Sequence, residues 1–409
     1  MSVGNGVETA RDGWLNALRP EARNAPESGI AEVFNYGRDR QGLIPLWVGE
    51  SDLPTPAFIY EAVTRSLQAG ETFYTHQRGI PELRHAIAAY MTRLYGSPFA
   101  DSQAPFGAER FFVTIGGMHA IQIAVRMVAG PGDEVIVLTP AWPNFAGALT
   151  VSGASVHEVP LRFDEGDAPR WTLDVARLRD AVTERTRAIV INSPANPTGW
   201  IASQDDCVAV LELARERGLW IIADEIYGRF VYGEGRAPSF HDVMAPHDRV
   251  LFAQTMSKNW TMTGLRVGWL EVPAALGDTV ENLIQYSTSG VAVPLQRAAT
   301  VALIGGEDYV TEQVERAKQS RDILCDALAR TDRFVFARPE GAFYLFAAVQ
   351  GEPNSRALCL RLVDEAGVGC APGSAFGAGW ERFVRICFAR KPADLAEVGR
   401  RLTAALGRD

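Results

Sequence analysis

The amino-acid sequence predicts an α/β fold in which a mostly parallel central sheet lies between helices, together with a smaller α+β unit. Short apolar runs rich in β-branched residues alternate with helical patterns along most of the chain, which is typical of parallel strands joined by helices. After about residue 310 the pattern changes to a long helix, three short segments and a last helix. The sequence gives no clear linker between the two parts.

Seven apolar runs are the predicted strands of the central sheet. Several of them are apolar throughout, as expected for strands that are covered by helices on both faces. They are Phe111–Ile115, Glu134–Leu138, Ser155–Val159, Ala188–Asn192, Trp220–Ala223, Val250–Gln254 and Val267–Glu271.

Three segments show helical periodicity. In the first of them, Leu83, Ile87, Met91 and Leu94 fall on one face, as in a helix that packs on a core. The three segments are Ile80–Tyr95, Val208–Arg217 and Val310–Ala329. The short segments of the C-terminal unit are Arg333–Ala337, Gly341–Val349 and Arg382–Phe388.

The composition is that of a globular protein, with 47% hydrophobic and 22% charged residues in a chain of 409. The net charge is −9 and no Lys/Arg-rich block occurs, so we expect no nucleic-acid partner. Five scattered cysteines without a C-x-x-C pair indicate neither a metal site nor a disulfide framework, and favour reduced thiols in the cytosol. Residues 1–29 lack a signal-peptide core and no apolar run reaches membrane-spanning length, so we expect a cytoplasmic protein without a membrane partner.

Polar residues follow several of the predicted strands, where open α/β sheets bind their ligands. Asp224 comes directly after Trp220–Ala223. A carboxylate in that place can cap a following helix, and taken alone the pattern favours this interpretation. The alternative is a buried anion that keeps a pyridinium nitrogen protonated.

Lys258 follows the strand Val250–Gln254. A lysine just after a strand is usually on the surface, but the flanking hydroxyls and Trp260 favour a partly buried amine here. Such an amine has the lowered pKa that a nucleophile requires. Arg266 follows eight residues later, and a guanidinium can grip phosphate oxygens with two hydrogen bonds at once.

Two loops after strands allow a simple and a functional interpretation. Asn196 lies in the segment 193–199, whose Asn, Pro and Gly residues favour a turn, although its amide could donate to a phenolate oxygen. Gly116 and Gly117 precede a helical pattern, so that backbone N–H groups could face a phosphate. Two glycines alone are weak evidence, and His119 is interpreted as a helix residue without a role.

A set of motifs occurs in a fixed order from about Ile30 to the end of the chain. The set is Gly49–Pro56, Tyr74-Thr75, Gly79–Arg84, Trp142–Asn144, Asn196–Gly199, Asp224–Tyr227, Ser257-Lys258 with Arg266, and Pro372–Gly377 before Arg385. In sequence and order these motifs resemble the class I/II aminotransferases of the aspartate aminotransferase superfamily. The resemblance implies the fold type I of enzymes that depend on pyridoxal 5′-phosphate (PLP). It also implies an N-terminal segment, 1–55, that joins the small domain, a large PLP-binding domain, 56–310, and a small C-terminal domain, 311–409.

The resemblance implies a role for each matching residue in cofactor binding. Lys258 would carry PLP as a Schiff base and Asp224 would pair with the pyridinium nitrogen. Tyr227 and Asn196 would hydrogen-bond the O3′ atom, and Trp142 would stack on the ring. The phosphate would be held by the backbone of Gly117 and Met118, the hydroxyls of Thr255 and Ser257, the Arg266 guanidinium, and Tyr74 of the neighbouring subunit. The shared site implies a homodimer.

The substrate would be held by its carboxylate. The resemblance implies that Arg385 clamps the α-carboxylate with the backbone of Gly49, while Trp142 and Asn196 also line the substrate. From the residue alone, Arg385 could be a solvated charge, because residues 382–388 alternate like an edge strand. Freed Lys258 would then be the general base that moves the Cα proton.

The implied activity is transfer of the amino group of an L-amino acid to a 2-oxo acid by a ping-pong mechanism. The same scaffold also carries C–S β-lyases and other fold type I lyases, and the sequence does not exclude them. A PLP-binding regulator is a further alternative. Such proteins have an additional DNA-binding domain, and the fewer than about 30 residues before the match make this interpretation unfavourable.

The side chain of the amino donor is the least determined feature. Relatives that prefer aspartate bind its distal carboxylate with a cation, either from a partner-subunit loop or directly after the paired glycines. The corresponding segment Gln285–Pro294 has no cation, and Met118 follows the glycines. An unpaired buried carboxylate is costly. We therefore expect a neutral, aromatic or aliphatic donor with 2-oxoglutarate or pyruvate as acceptor. Arg78 is a candidate cation, although a solvated loop arginine is favoured there.

Overall fold

The computed structural model describes residues 13–233 and 235–407. Its strands form a large central sheet, a small antiparallel sheet and two short pairs. The strands are β1 (Ile44–Pro45), β2 (Phe111–Thr114), β3 (Glu134–Thr139), β4 (Ser155–Pro160), β5 (Arg162–Asp164), β6 (Arg170–Thr172), β7 (Thr186–Asn192), β8 (Trp220–Asp224), β9 (Val250–Thr255), β10 (Gly268–Glu271), β11 (Phe334–Val335), β12 (Tyr344–Val349), β13 (Val368–Gly369), β14 (Ala371–Pro372) and β15 (Phe383–Cys387).

Helices cover the sheets and join their strands. Short helical stretches at 13–17 and Pro20–Arg23 precede them. The main helices are α1 (Gly29–Gly37), α2 (Ala57–Gln68), α3 (Pro81–Tyr95), α4 (Gly116–Val128), α5 (Asn144–Ser152), α6 (Val175–Asp180), α7 (Gln204–Arg217), α8 (Gly277–Gln285), α9 (Val293–Gly305), α10 (Glu307–Leu328), α11 (Ser355–Glu365) and α12 (Pro392–Leu406). None of the helices within the described ranges combines the length and the apolar character needed to cross a membrane.

The central sheet has the strand order β2-β10-β9-β8-β7-β3-β4. Every neighbouring pair from β9 to β4 is parallel, and β10 runs antiparallel between β9 and β2. The predicted α/β fold with a mostly parallel sheet is confirmed, and all seven predicted strands are present. Their ends differ from the predicted ends by one or two residues. In β2, for example, Ile115 precedes the first turn of α4 instead of ending the strand.

Both faces of the central sheet are covered, as the apolar strands predict. In β3, Val135 and Val137 pack with α4 and α5, whereas Ile136 and Leu138 pack in the cluster on the other face. The three predicted helices are confirmed as α3, α7 and α10. Helix α7 begins before the predicted Val208, because the Ser203 and Asp206 side chains form a reciprocal cap with the backbone at its polar first turn.

The C-terminal part contains a four-stranded antiparallel sheet in the order β11-β12-β15-β14. Strand β15 therefore lies between two neighbours, and all five of its residues are buried. The interpretation of residues 382–388 as an edge strand is wrong, because β12 and β14 cover both sides of β15. Strand β1 pairs in parallel with β13, which joins the N-terminal segment to this part of the chain. The domain division stays a prediction, and its boundary at 310/311 falls within α10.

A cluster of ionisable side chains is buried beside the central sheet. Arg110 donates from Nε to Glu271 at 3.0 Å, and His241 Nε2 lies 3.1 Å from the other oxygen of Glu271. The Ser239 hydroxyl lies 2.9 Å from His241 Nδ1 and donates to Glu225 at 2.7 Å. Each of these side chains has a hydrogen-bonding or oppositely charged partner within the cluster. We call these five residues the paired cluster.

Candidate active site

The carboxyl ends of the parallel strands border a cavity of about 440 Å³. Its wall brings together residues that lie far apart in the sequence, as predicted for this edge of the sheet. The predicted site residues in this wall are Gly49, Trp142, Asn196, Asp224, Tyr227, Ser257, Lys258, Arg266 and Arg385. Gly117, Met118, Thr255 and Tyr74 are predicted site residues that lie outside it.

Lys258 is a partly buried amine in this wall, three residues after the end of β9. Its Nζ atom donates to the carbonyl of Gly49 at 2.7 Å. Burial, with a smaller contribution from the nearby Arg385, lowers the pKa of Lys258 to about 8 against the opposing effects of Cys387, Glu50 and Asp224. No carboxylate of the described residues lies within ion-pair distance of Nζ. An amine with such a pKa is suited to act as a nucleophile or base near neutral pH.

Asp224 ends β8 and is 1% exposed. Residues 226–229 form a turn and not a helix, so the helix-cap interpretation is wrong. One carboxylate oxygen accepts the N–H of Ile226 at 3.3 Å. Burial raises the pKa of Asp224 to about 7, which the Ile226 hydrogen bond and Lys258 oppose only in part. A carboxylate with so few partners can bind a cationic ring nitrogen in the cavity.

Arg385 is a buried guanidinium, 2% exposed, and not a solvated charge. One of its terminal nitrogens donates to Asn196 Oδ1 at 3.1 Å, and the other donates to the carbonyl of Trp47. Its Nε has no hydrogen-bond partner. No acidic group of the described chain pairs with it. A guanidinium in this state is suited to a carboxylate ligand.

The predicted phosphate-binding residues converge at the start of α4. Gly116 has φ +72°, and a Cβ at this position would lie 2.6 Å from a terminal nitrogen of Arg266. A Cβ at Gly117 would lie 3.5 Å from that of Thr255, whose hydroxyl donates to Ser257 Oγ at 2.9 Å. Arg266 itself has φ +55°, a conformation that costs a non-glycine residue about 1–3 kcal/mol. The helix start, the two hydroxyls and the guanidinium together provide the donors and the positive charge that suit an anion.

Two aromatic side chains meet in the cavity wall, one predicted and one missed. The hydroxyl of Tyr227 lies 2.6 Å from that of Tyr344, and both residues are buried. Tyr344 belongs to an apolar run in the sequence, and no motif or spacing distinguishes it there. Asn192 was also missed; it donates to the carbonyl of Asp224 at 3.1 Å and accepts the N–H of Asn196 at 2.7 Å.

Three predicted candidates lie away from the cavity. Tyr74 is 95% exposed. Met118 lines a neighbouring cavity of about 760 Å³, which shares Trp142 with the first. Arg78 forms ion pairs with Glu281 at 2.6 Å and Asp278 at 2.7 Å. The guanidinium of Arg78 thus already has two carboxylate partners, which weakens it as a candidate for a substrate carboxylate.

His119, which was predicted to have no role, connects the start of α4 to the segment after α8. Its Nδ1 accepts the N–H of Ile115 at 3.2 Å, and its Nε2 lies 2.9 Å from the hydroxyl of Ser287. Burial lowers the pKa of His119 to about 4, so the ring is neutral at neutral pH. Both ring nitrogens are engaged, which is the pattern of a structural histidine.

Comparison with known proteins adds the following findings. The sequence family described as aminotransferase class I and II matches residues 41–402. A probable aspartate/prephenate aminotransferase of Aquifex aeolicus is 32% identical over 96% of this chain and 97% of its own. An aspartate aminotransferase of Thermotoga maritima is 33% identical over 87% and 89%. The solved structure of N-succinyldiaminopimelate aminotransferase from Mycobacterium tuberculosis superposes with a TM-score of 0.87 at 29% identity, covering 95% of this chain and 100% of that one.

Proposed function

Because the chain belongs to the aminotransferase class I and II family and is a transaminase, we propose that it uses PLP bound covalently to Lys258. Family members act on amino acids and 2-oxo acids, and the lyase alternative is not favoured by the relatives. The cofactor, the residues that hold it and the preferred substrates are the parts that we propose.

The observation that carries the proposal is a set of buried or partly buried charges without ion-pair partners. We call Asp224, Lys258 and Arg385 the three site charges. None of them forms an ion pair within the described residues, although such groups are costly to bury alone. PLP and an amino acid supply what each of them lacks: a ring nitrogen for Asp224, an aldehyde carbon for Lys258 and a carboxylate for Arg385. The anion site at the start of α4 suits the phosphate.

When bound, PLP supplies an electron-poor ring that takes up the electron pair left by the broken Cα–H bond. The chain supplies position and proton transfer. Arg385 fixes the substrate carboxylate, so that the Cα–H bond faces Lys258. The amino group of the substrate would take the place of Lys258 on the cofactor and so free the Lys258 amine. This amine, whose pKa burial lowers to about 8, would then take the Cα proton and return it to the cofactor carbon that Lys258 had occupied. Tyr227 and Asn196 hold the phenolic oxygen.

The covalent attachment has an unusually clean test in this chain. The chain contains three lysines, which are Lys258, Lys318 and Lys391. Borohydride reduction of the purified protein followed by peptide mapping should place the pyridoxyl group on Lys258 alone. The double variant Lys318→Arg/Lys391→Arg is the control and should be labelled to the same extent. A pyridoxyl group on either of the other lysines would contradict the proposal.

Amino transfer itself is tested by incubation with an amino acid and a 2-oxo acid. Mass spectrometry should find the new amino acid and the new 2-oxo acid in equal amounts. Pyruvate, ammonia and a free thiol formed from a cysteine conjugate would instead indicate β-lysis.

We further propose a homodimer in which Tyr74 serves the partner's site. The side chains of Phe73, Tyr74 and Tyr286 are 84%, 95% and 88% exposed, so aromatic surface is available for a partner. Mixing the inactive variants Lys258→Ala and Tyr74→Ala tests the arrangement. Each mixed dimer should contain one site with both native residues, and activity should return. No recovery on mixing would place Tyr74 outside the partner's site.

For the donor we propose a neutral amino acid with 2-oxoglutarate or pyruvate as acceptor. The cations in the cavity wall are Lys258, Arg266 and Arg385, and each already has a proposed task. Arg78 is held by two carboxylates. A screen of donors by kcat/KM tests this, and a higher value for aspartate than for every neutral amino acid would contradict it. The cytoplasmic location stays a prediction, supported by five cysteines that are all free and buried.

A further inference from the structure

Tyr344 is a buried side chain of the cavity wall that the proposed reaction does not use. It is the first residue of β12, and it pairs in register with Cys387 of β15. Arg385 lies two residues earlier on β15, opposite Phe346. The strand pairing therefore sets Tyr344 beside the carboxylate clamp.

The hydroxyl of Tyr344 contacts two parts of the site. It lies 2.6 Å from the hydroxyl of Tyr227. It also lies so close to Gly49 that a Cβ at that position would be 1.9 Å from it, and only glycine fits there. The carbonyl of the same Gly49 accepts the hydrogen bond of Lys258. The hydroxyl thus stands between Tyr227 and the backbone that holds the amine.

The ring of Tyr344 contacts a third part of the site, the guanidinium of Arg385. The guanidinium carbon of Arg385 lies 4.7 Å from the centre of this ring and 5.1 Å from that of Phe376. Aromatic faces attract a guanidinium without using its N–H groups. The edge of Arg385, including its unpaired Nε, stays available for a carboxylate.

We propose that Tyr344 is a positioning residue that couples the substrate clamp to the cofactor's phenolic oxygen, an inference that rests on the proposed cofactor. Two hydroxyls at 2.6 Å share one hydrogen bond. Since Tyr227 is assigned as donor to the phenolic oxygen, its own oxygen must accept from Tyr344. A hydroxyl that accepts a hydrogen bond becomes a stronger donor in turn.

The charged and titratable groups that face Tyr344 belong to β15, to β8 and to the turn after β8. They are Arg385 and Cys387 of β15, Tyr227 in the turn after β8, and Asp224 at the end of β8. Lys258 contacts the adjoining Gly49. A titration of the loaded enzyme is therefore read only as a difference between matched variants, in which Arg385, Cys387, Asp224 and Lys258 are all retained.

The first experiment uses Tyr344→Phe, which removes the hydroxyl and keeps the ring. Without the hydrogen bond, Tyr227 donates more weakly and the phenolic oxygen becomes more basic. The midpoint of the visible pH titration of the Lys258-linked cofactor should rise by roughly 0.3–1 pH unit. The KM for the amino donor should change less than about twofold, because the ring still holds Arg385.

The matched control is Tyr232→Phe. Tyr232 is also buried, but its hydroxyl donates to the carbonyl of Ala342 and does not reach the site charges. This variant should leave the titration midpoint unchanged. Equal shifts in both variants would overturn the inference, because they would report only the loss of a buried hydroxyl.

Two further variants separate the two contacts. Tyr344→Leu also removes the ring, and the KM for the donor should rise by about 2- to 30-fold. In a Tyr227→Phe background, Tyr344→Phe should cause no further shift of the midpoint, because the effect passes through Tyr227. An additive shift of the midpoint in the double variant, or an unchanged midpoint in Tyr344→Phe alone, would overturn the coupling. Wild-type protein without any visible cofactor band would overturn the cofactor assignment, and this inference with it.

Discussion

The paired cluster and the three site charges are both buried, but they differ in what surrounds them. In the paired cluster, Glu271 receives hydrogen bonds from Arg110 and lies 3.1 Å from His241, and these contacts hold its pKa below the ordinary value against the effect of burial. In the site, Asp224 keeps a pKa raised to about 7 and Lys258 one lowered to about 8 by burial. Burial is common to Glu271 and the site charges, and their partners differ.

This difference distinguishes buried charges that contribute to stability from buried charges that serve function. A buried charge with its partner in the same chain contributes to the folded state, or at least loses little by being there. A buried charge without a partner lowers the stability of the free protein, and the cost is offset only when a ligand binds. Removing a member of the paired cluster should therefore destabilise the fold, and removing a site charge should destroy activity while sparing or raising stability.

The largest effect is expected for Lys258→Ala. Loss of the base should lower kcat by about 10⁴-fold, at the upper end of what one proton-transfer residue contributes. Stopped-flow measurement of a single turnover would show this. Lys391→Ala, at an exposed position, is the control and should keep wild-type activity. Cofactor-free Lys258→Ala should unfold at or above the unfolding temperature of the cofactor-free wild type. A clearly lower temperature would contradict the distinction between the two regions.

The opposite behaviour is expected for Glu271→Ala. It leaves Arg110 and His241 without their carboxylate, and the free energy of unfolding should fall by about 3–5 kcal/mol. Calorimetry and denaturant titration measure this, and the kcat of the protein that remains folded should stay within about twofold of the wild type. Glu271→Gln, which keeps hydrogen-bonding capacity, serves if the alanine variant does not fold.

The control for this variant is Glu165→Ala, which breaks an exposed ion pair with Arg382 and should cost less than about 1 kcal/mol. A Glu271→Ala protein with normal stability and lost activity would assign the paired cluster to function and would contradict the distinction.

Arg385→Leu should act on the substrate. The value of kcat/KM should fall by about 100-fold, mainly through KM, because losing one partner of a buried charge pair costs about 2–5 kcal/mol. The visible spectrum of the bound cofactor should persist. Arg382→Leu is the control, three residues away and exposed. An Arg385→Leu enzyme with an unchanged KM would remove this residue from the clamp.

The smallest effect is a pH dependence. The neutral amine is the nucleophile, so the rate at which cofactor-free protein takes up PLP should rise with pH around the lowered pKa of Lys258, about 8. Between pH 7 and pH 9 the rate should increase about tenfold and level off, whereas with an ordinary lysine it would keep rising by about tenfold per pH unit until near pH 10. Following the visible absorption at a series of pH values measures the midpoint.

Much of the fold followed from the sequence, because apolar runs such as Ala188–Asn192 have only one stable place, the interior of a covered sheet. The gathering of Asp224, Lys258 and Asn196 followed as well, since parallel strands end at one edge. Their roles stay predictions until tested.

Other features could not be predicted, because they depend on contacts between distant segments. Arg385 looks like a solvated residue in an alternating strand until β12 and β14 are placed on either side of it. Tyr344 looks like any core residue until its hydroxyl is seen against Gly49 and Tyr227. Asp224 looked like a helix cap because the turn that follows it has no distinct local signal.

The contacts that close the cavity also have an order in time. Lys258 bonds to a residue made 209 positions earlier, and Arg385 bonds to Trp47, which was made 338 positions earlier. A ribosome that has translated residue 258 has produced the amine and its carbonyl partner, but the proposed substrate clamp is still untranslated. Chains released before residue 385 therefore lack the guanidinium that we propose for the substrate carboxylate.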